Sequence, residues 1–207
     1  MIRKISIFVM LALFCSTCAF AVTMPSRAGR WDTGVSLAGT LPTDSDTSNT
    51  GYYGANVSYG ISDQLALGMS IGWQDALVKF RNQNGDRVEA GKLAHMPIFA
   101  DIIYRHFNEK SSLTPYGVLG LGALVSHSHG TGVLNDFNLE SKSVDSFAMK
   151  FGVGLDWAVT DQWLLYFEAD YIFAASDVTV NDKSTGGAVD SSDLDYWLIG
   201  GGIKSVF

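Results

Sequence analysis

Apolar residues recur at every second position along eight stretches of this 207-residue chain. A period of two places successive side chains on opposite faces of a strand, so the pattern calls for sheet with unlike sides. A bundle of membrane helices would need about 20 consecutive apolar residues per span, and no stretch beyond the N-terminal region provides them. The pattern is clear from Trp31 to Leu41, where Trp31, Val35, Leu37 and Leu41 alternate with Asp32, Gly34, Ser36, Ala38 and Thr40. It repeats over Gly51 to Gly60, Leu65 to Gln74, Phe147 to Trp157, Trp163 to Phe173 and Trp197 to Phe207. Met96 to Phe107 and Leu113 to Val125 also alternate, with large apolar residues on both faces.

The connections alternate in length. Short ones fall near Ser62-Asp63, at Asn108 to Ser112 and at Thr160-Asp161; long ones span 42–50, 81–93, 127–144 and 176–194. Tyr59 to Leu67 and Trp157 to Leu165 form a weak internal repeat, strand-turn-strand with Asp63 or Asp161 at the turn. The Asp side chain is expected to bond nearby backbone there.

The chain opens with Arg3 and Lys4, an apolar run from Ile5 to Leu13, and Ala19-Phe20-Ala21. These are the parts of a secretory leader, with cleavage expected after Ala21. Cys15 and Cys18 fall inside it, neither placed as a lipid acceptor. Residues 22–207 then form one domain without cysteine, which leaves no disulfide or thiol chemistry. With 14 basic against 21 acidic residues and a net charge of −7, the chain is a poor partner for nucleic acid.

A soluble sheet and a membrane barrel both alternate, and they differ in which face is oily. Three features favour eight antiparallel strands in an all-β, up-and-down transmembrane barrel. The second face is rich in Gly, Ala and Ser, as a narrow lumen requires, and charged residues are only 17% of the chain. Trp31, Tyr53, Tyr59, Trp73, Tyr104, Trp157, Trp163, Tyr171 and Trp197 fall on the oily face near strand ends, where amphipathic rings meet the membrane interfaces. The eighth strand ends on Phe207 and must close on the first, because lipid cannot hydrogen-bond a free edge.

His95-Met96-Pro97, Thr114-Pro115-Tyr116-Gly117 with Gly120 and Gly122, the Ser/Thr-Asp-Gln turns and the closing Gly200 to Phe207 together resemble small outer-membrane barrels of the OmpA/OmpW type. The resemblance covers the whole of 22–207. It implies residence in a bacterial outer membrane, contact with outer-membrane lipid and lipopolysaccharide, and insertion by the barrel-assembly machinery through a C-terminal strand ending in Phe207. The sequence departs from that pattern at Ser205, where an aromatic is common. A periplasmic peptidoglycan anchor is not implied.

The inward face offers Asp32, Asp101, Asp156, Glu168 and Asp170 against Arg105, Lys150 and Lys204. Buried charges need partners, so an interlocking network that fills the lumen is expected rather than an open polar path. Glu168 and Asp170, two apart on one face, are expected to share Lys150 or Lys204. Ser126-His127-Ser128-His129 is the one cluster with hydrolytic flavour; it reads as the start of a solvated loop. The Asp residues of 43–49 and 181–187 lack calcium-loop spacing. No catalytic residue, metal ligand or cofactor site is assigned, and the expectation is not an enzyme. The first reading of function is a structural and surface-interacting barrel with a plugged lumen. The alternatives are a narrow channel or binding barrel for small molecules, apolar ones included, and a lipid A-modifying hydrolase.

Overall fold

The computed structural model describes residues 22–43, 48–81, 87–130, 139–142, 145–175, 178–182, 188–192 and 195–207, with side chains described outside 76–93, 127–144 and 176–194. Residues 1–21, expected as a leader, lie outside the described residues, as do positions 44–47 and 183–187. Among the described residues there are eleven strands: β1 (Trp31–Pro42), β2 (Thr50–Gly60), β3 (Leu65–Arg81), β4 (Arg87–Arg105), β5 (Leu113–Gly130), β6 (Leu139–Lys142), β7 (Ser146–Ala158), β8 (Trp163–Ala174), β9 (Val178–Asp182), β10 (Ala188–Ser192) and β11 (Tyr196–Val206). Eight of them, all but β6, β9 and β10, form one closed antiparallel barrel in sequence order. The ring closes where β11 pairs with β1, from Asp32 opposite Val206 to Pro42 opposite Tyr196. Phe207 extends that seam: its N–H bonds Trp31 O at 3.0 Å and its carbonyl accepts the Trp31 N–H at 2.9 Å.

The oily face points away from the axis. Val35, Leu37, Met69, Phe151, Val153, Phe167 and Ile199 are all 47–68% exposed. The alternate positions of the same strands are buried or half-buried inside. Of the nine interface aromatics, seven are exposed, while Trp157 and Tyr171 are half-buried. The pairing places them in two belts. Trp31, Tyr59, Tyr104, Trp157 and Trp163 lie at the short-turn end, and Tyr53, Trp73, Tyr171 and Trp197 at the other. Trp31 stacks on Tyr59 and Tyr171 on Trp197, each with ring centroids 5.1 Å apart.

The structure departs from the sequence reading at the long-loop end. β3, β4 and β5 run past the expected strand limits, to Arg81, from Arg87 and to Gly130. Once two strands are paired, the ladder continues beyond the lipid as long as backbone partners remain in register, and an oily outer face is no longer required. The segments 127–144 and 176–194, expected as loops, carry β6, β9 and β10, which form a small sheet in the order β10-β9-β6.

The two repeated turns close alike, though not by their Asp. Ser62 Oγ accepts the Leu65 N–H at 3.0 Å, and Thr160 Oγ1 accepts that of Trp163 at 3.0 Å. The hydroxyl reaches the backbone two and three residues on, which frees Asp63 for another use.

An arginine at Val153, in the middle of β7, should destabilise the barrel by about 2–4 kcal/mol, the cost of such a charge at the bilayer midplane. Denaturant unfolding in lipid vesicles measures it. An unchanged midpoint would put this face somewhere other than lipid.

Candidate functional site: the charged lumen

Eight strands enclose a lumen that side chains can fill. Here the filling is tiered. At the short-turn end a chain of ion pairs crosses the barrel from wall to wall. Arg105 Nη2 of β4 meets Asp32 Oδ2 of β1 at 2.6 Å. Arg27 Nη1 meets the same oxygen at 3.1 Å, and Arg27 Nη2 meets Asp156 Oδ2 of β7 at 2.8 Å. Lys204 Nζ of β11 meets Asp156 Oδ1 at 3.0 Å. The Lys204 ammonium also lies over the rings of Tyr116 and Tyr166, 4.5 and 4.1 Å from their centroids. All five charged residues are 0–6% exposed. Isolated, each ion would cost several kcal/mol; shared carboxylates let each meet at least one opposite charge.

Arg27 is the member that sequence reasoning missed, because it lies outside the alternating strands. The segment before β1 folds across the short-turn end and carries it in. Met24 donates its N–H to Ser111 O at 2.9 Å and packs on Ala158, Leu164 and Val206. Asp63 Oδ1 accepts Ser26 Oγ at 2.7 Å, the Arg27 N–H at 2.8 Å and the Ala28 N–H at 3.2 Å. Gly29, at φ +72°, turns the chain there and donates to Gly60 O at 2.8 Å. A side chain at Gly60 would collide with the Arg27 carbonyl. One signal was available: the strands alone place five inward carboxylates against three inward cations, a deficit that Arg27 reduces.

The middle tier holds Lys150, whose Nζ lies 2.9 Å from Asp101 Oδ1 and donates to Ser70 Oγ at 2.9 Å. Tyr116 donates its hydroxyl to Glu168 Oε2 at 2.6 Å, and Asn56 Nδ2 donates to Tyr166 Oη at 2.9 Å. Glu168 and Asp170 therefore do not divide Lys150 or Lys204 between them as expected. Those ammoniums serve Asp101 and Asp156, which face them directly from the neighbouring walls.

The inward face is also less uniformly small than its glycines imply. Tyr52, Tyr116, Tyr166 and Tyr196 are buried in the lumen. Glycine and ring are complementary: a Cβ at Gly72 would strike the Tyr52 ring, and one at Gly154 the Tyr116 ring. Nearer the long-loop end, Phe99, Leu124, Ile172 and Leu198 fill the axis. Ser126 is not a loop residue; it lies on β5, 8% exposed, sharing a 2.9 Å hydrogen bond with Nδ1 of buried His95. The pair faces the lumen, away from the acyl chains outside. The side chains of His127, Ser128 and His129 lie outside the described residues. Phe207 is 65% exposed on the lipid face at the seam.

These features define an integral membrane barrel with a filled interior. Residues 6–196 match the family described as outer membrane protein beta-barrel domain, and the chain belongs to that family; it is a protein of the bacterial outer membrane. It is 26% identical over 153 residues to the uncharacterized outer-membrane protein y4mB of Sinorhizobium fredii, covering 73% of this chain and 64% of that protein. It is 25% identical over 126 residues to the outer membrane protein AlkL of Ectopseudomonas oleovorans, covering 60% of this chain and 52% of that one. The chain thus spans less than two thirds of the length of either relative. Among solved structures, OprG of Pseudomonas aeruginosa superposes with a TM-score of 0.75 at 15% identity, over 90% of this chain and 99% of that one. AlkL in lipid bilayers gives 0.56 at 18% identity, over 90% and 94%.

Two outcomes are expected of this tier. Asp156→Asn removes the carboxylate shared by Arg27 and Lys204 and should cost about 3–5 kcal/mol in unfolding free energy, the range for breaking a buried pair. Burial works against the charge on Asp63, yet the Ser26 hydroxyl and the Arg27 and Ala28 amides hold its carboxyl below the usual carboxylate range. A carboxyl lowered on folding stabilises above its ordinary pKa and loses that contribution as pH falls through the folded value. Docking of 24–30 should therefore loosen on acidification below the usual carboxylate range, read from the Ala28 amide shift. Asp63→Asn should loosen it at neutral pH.

Proposed function

We propose that the protein is a structural and surface-interacting barrel of the outer membrane whose axis is closed to solutes. The reading rests on the ladder Arg105–Asp32–Arg27–Asp156–Lys204, which crosses the whole short-turn end with every member buried. A permeating ion would have to break at least one of these pairs and leave a charge uncompensated. The lipid face, with its two aromatic belts, suits contact with outer-membrane lipid and lipopolysaccharide. The exposed Phe207 at the end of the seam fits recognition by the barrel-insertion machinery. At the opposite end, the extended hairpins and the β10-β9-β6 sheet project beyond the aromatic belt and are the parts available to the surroundings.

A second reading is a barrel that accepts small molecules, apolar ones included, from the long-loop end. One observation favours it: the lumen there changes from ion pairs to Phe99, Leu124, Ile172 and Leu198 beside neutral polar side chains, a lining that a solute could displace. Similarity to AlkL agrees with such a role without establishing it.

Planar-bilayer recording separates the two. The intact barrel should be electrically silent, and Arg27→Ala should produce intermittent openings. Steady conductance from the unaltered protein would defeat the closed-axis reading.

A further inference from the structure

Beyond the long-loop belt the outer face of the barrel changes character. On β3 the outer positions from Leu65 to Trp73 are apolar and 36–58% exposed. Asp75 follows, exposed, its carboxylate accepting the Trp73 Nε1–H at 3.2 Å. Leu77, Lys79 and Arg81 occupy the next positions of this face. Register sets their partners on β4: Lys92 opposite Leu77, Glu89 opposite Lys79 and Arg87 opposite Arg81. β5 adds His127 opposite Ala94 and His129 opposite Lys92. Val78, Phe80, Val88 and Leu93 occupy the inner positions of β3 and β4.

A bulge makes this arrangement. The ladder passes from Val78 opposite Gly91 to Lys79 opposite Glu89, skipping Ala90. Without that extra residue Ala90 and Val88 would stand opposite Lys79 and Arg81, and Glu89 and Arg87 would take the inner face. The bulge re-aims the strand and gathers Lys79, Arg81, Arg87 and Lys92 on one face. These are four of the 14 Lys and Arg in a chain of net charge −7. Like charges directly opposite each other destabilise a ladder, yet Arg81 stands opposite Arg87. Lys92 stands between Leu77 and His129, again with no acidic residue opposite. Among the described residues, this face of the hairpin has only two acids: Glu89, opposite Lys79, and Asp75, bonded to Trp73. The surplus positive charge calls for an anion from outside the ladder.

Position selects the anion. Long loops of such barrels stand on the external side. The rows of Lys92 and Arg81 lie roughly 14 and 27 Å along the strand beyond Trp73, at about 3.4 Å per residue. The cations therefore start in the headgroup layer and continue above it. A phospholipid carries its phosphate in one thin layer, whereas lipopolysaccharide carries phosphates on its sugars at several heights. Lys and Arg are the residues that bind phosphate. We propose that the outer face of the β3–β4 hairpin, with the adjoining end of β5, docks the phosphorylated sugars of lipopolysaccharide in the outer leaflet. This rests on the reading that the barrel's lipid face meets outer-membrane lipid and lipopolysaccharide, and it supplies the residues and the chemical groups. A closed or an open axis leaves it unchanged.

The test titrates the full barrel in detergent micelles with lipopolysaccharide, with the same lipopolysaccharide after enzymatic removal of its phosphates, and with phosphatidylglycerol, reading binding by thermophoresis. The phosphorylated form should bind about tenfold or more tightly than the other two, the expected return from several cations at a membrane surface. The preference should shrink as salt rises. Arg81→Gln combined with Arg87→Gln should lose most of it and Lys92→Gln part of it, while Lys110→Gln, on an exposed short turn, should keep it. Should the double variant fail to fold, Lys92→Gln and the salt dependence of the unaltered protein decide. Equal affinity for the two lipopolysaccharide forms would overturn the proposal and leave the lipid-face reading standing; binding of neither form would defeat both. Phosphatidylglycerol bound as tightly as lipopolysaccharide would also overturn it.

Discussion

Lipid offers no hydrogen bonds, and this one fact governs the architecture. Each strand spanning the membrane must find backbone partners on both sides, which forces the sheet to close. The seam between β1 and β11 is therefore as regular as any other pair, running from Asp32 opposite Val206 to Pro42 opposite Tyr196. Closure with eight strands fixes a narrow interior, and the narrow interior dictates what can point into it. The exterior follows from the same constraint: alternate positions must be apolar, with amphipathic rings where hydrocarbon gives way to water.

Inside, two packing solutions coexist. Where residues are ionised, they form shared pairs, because a carboxylate such as Asp156 can satisfy Arg27 and Lys204 together while a lone ion cannot be accommodated. Where residues are neutral, large rings lie over glycines of neighbouring strands, as Tyr52 does over Gly72 and Tyr116 over Gly154. The glycines that first read as a sparse face are the spaces into which tyrosines fit. Together the two arrangements pack the lumen, with ion pairs at the short-turn end and neutral side chains, apolar and polar, toward the other.

Much of this was legible from residue order. Alternation located all eight spanning strands and the facing of six, since a period of two survives wherever one side meets lipid; over Met96 to Phe107 and Leu113 to Val125 both faces carry large apolar residues. The inward positions of Asp32, Asp101, Arg105, Lys150, Asp156, Glu168, Asp170 and Lys204 followed from parity alone. What parity could not supply was pairing. Glu168 and Asp170 share a strand, yet the nearest cations belong to carboxylates on other strands, a matter of stagger around the ring. Arg27 escaped because its segment has no period, and Asp63 because its role as an acceptor for residues 26–28 depends on a chain folded back across the turn. The strand extensions to Arg81 and Gly130 escaped because a strand beyond the lipid is not required to alternate.

Sequence by itself determined the local and the binary: where the eight spanning strands lie, which face most of their side chains take, and that the oily face is the outer one. These depend on spacing between neighbours in the chain and on the solvent they must meet. Tertiary structure decided the partners: which carboxylate neutralises which cation, which glycine receives which ring, and how residues 24–30 fold across one end. Those choices depend on strand register around a closed ring, which brings Asp32 beside Arg105 across seventy-three positions of chain. Distance along the sequence carries no record of such closeness.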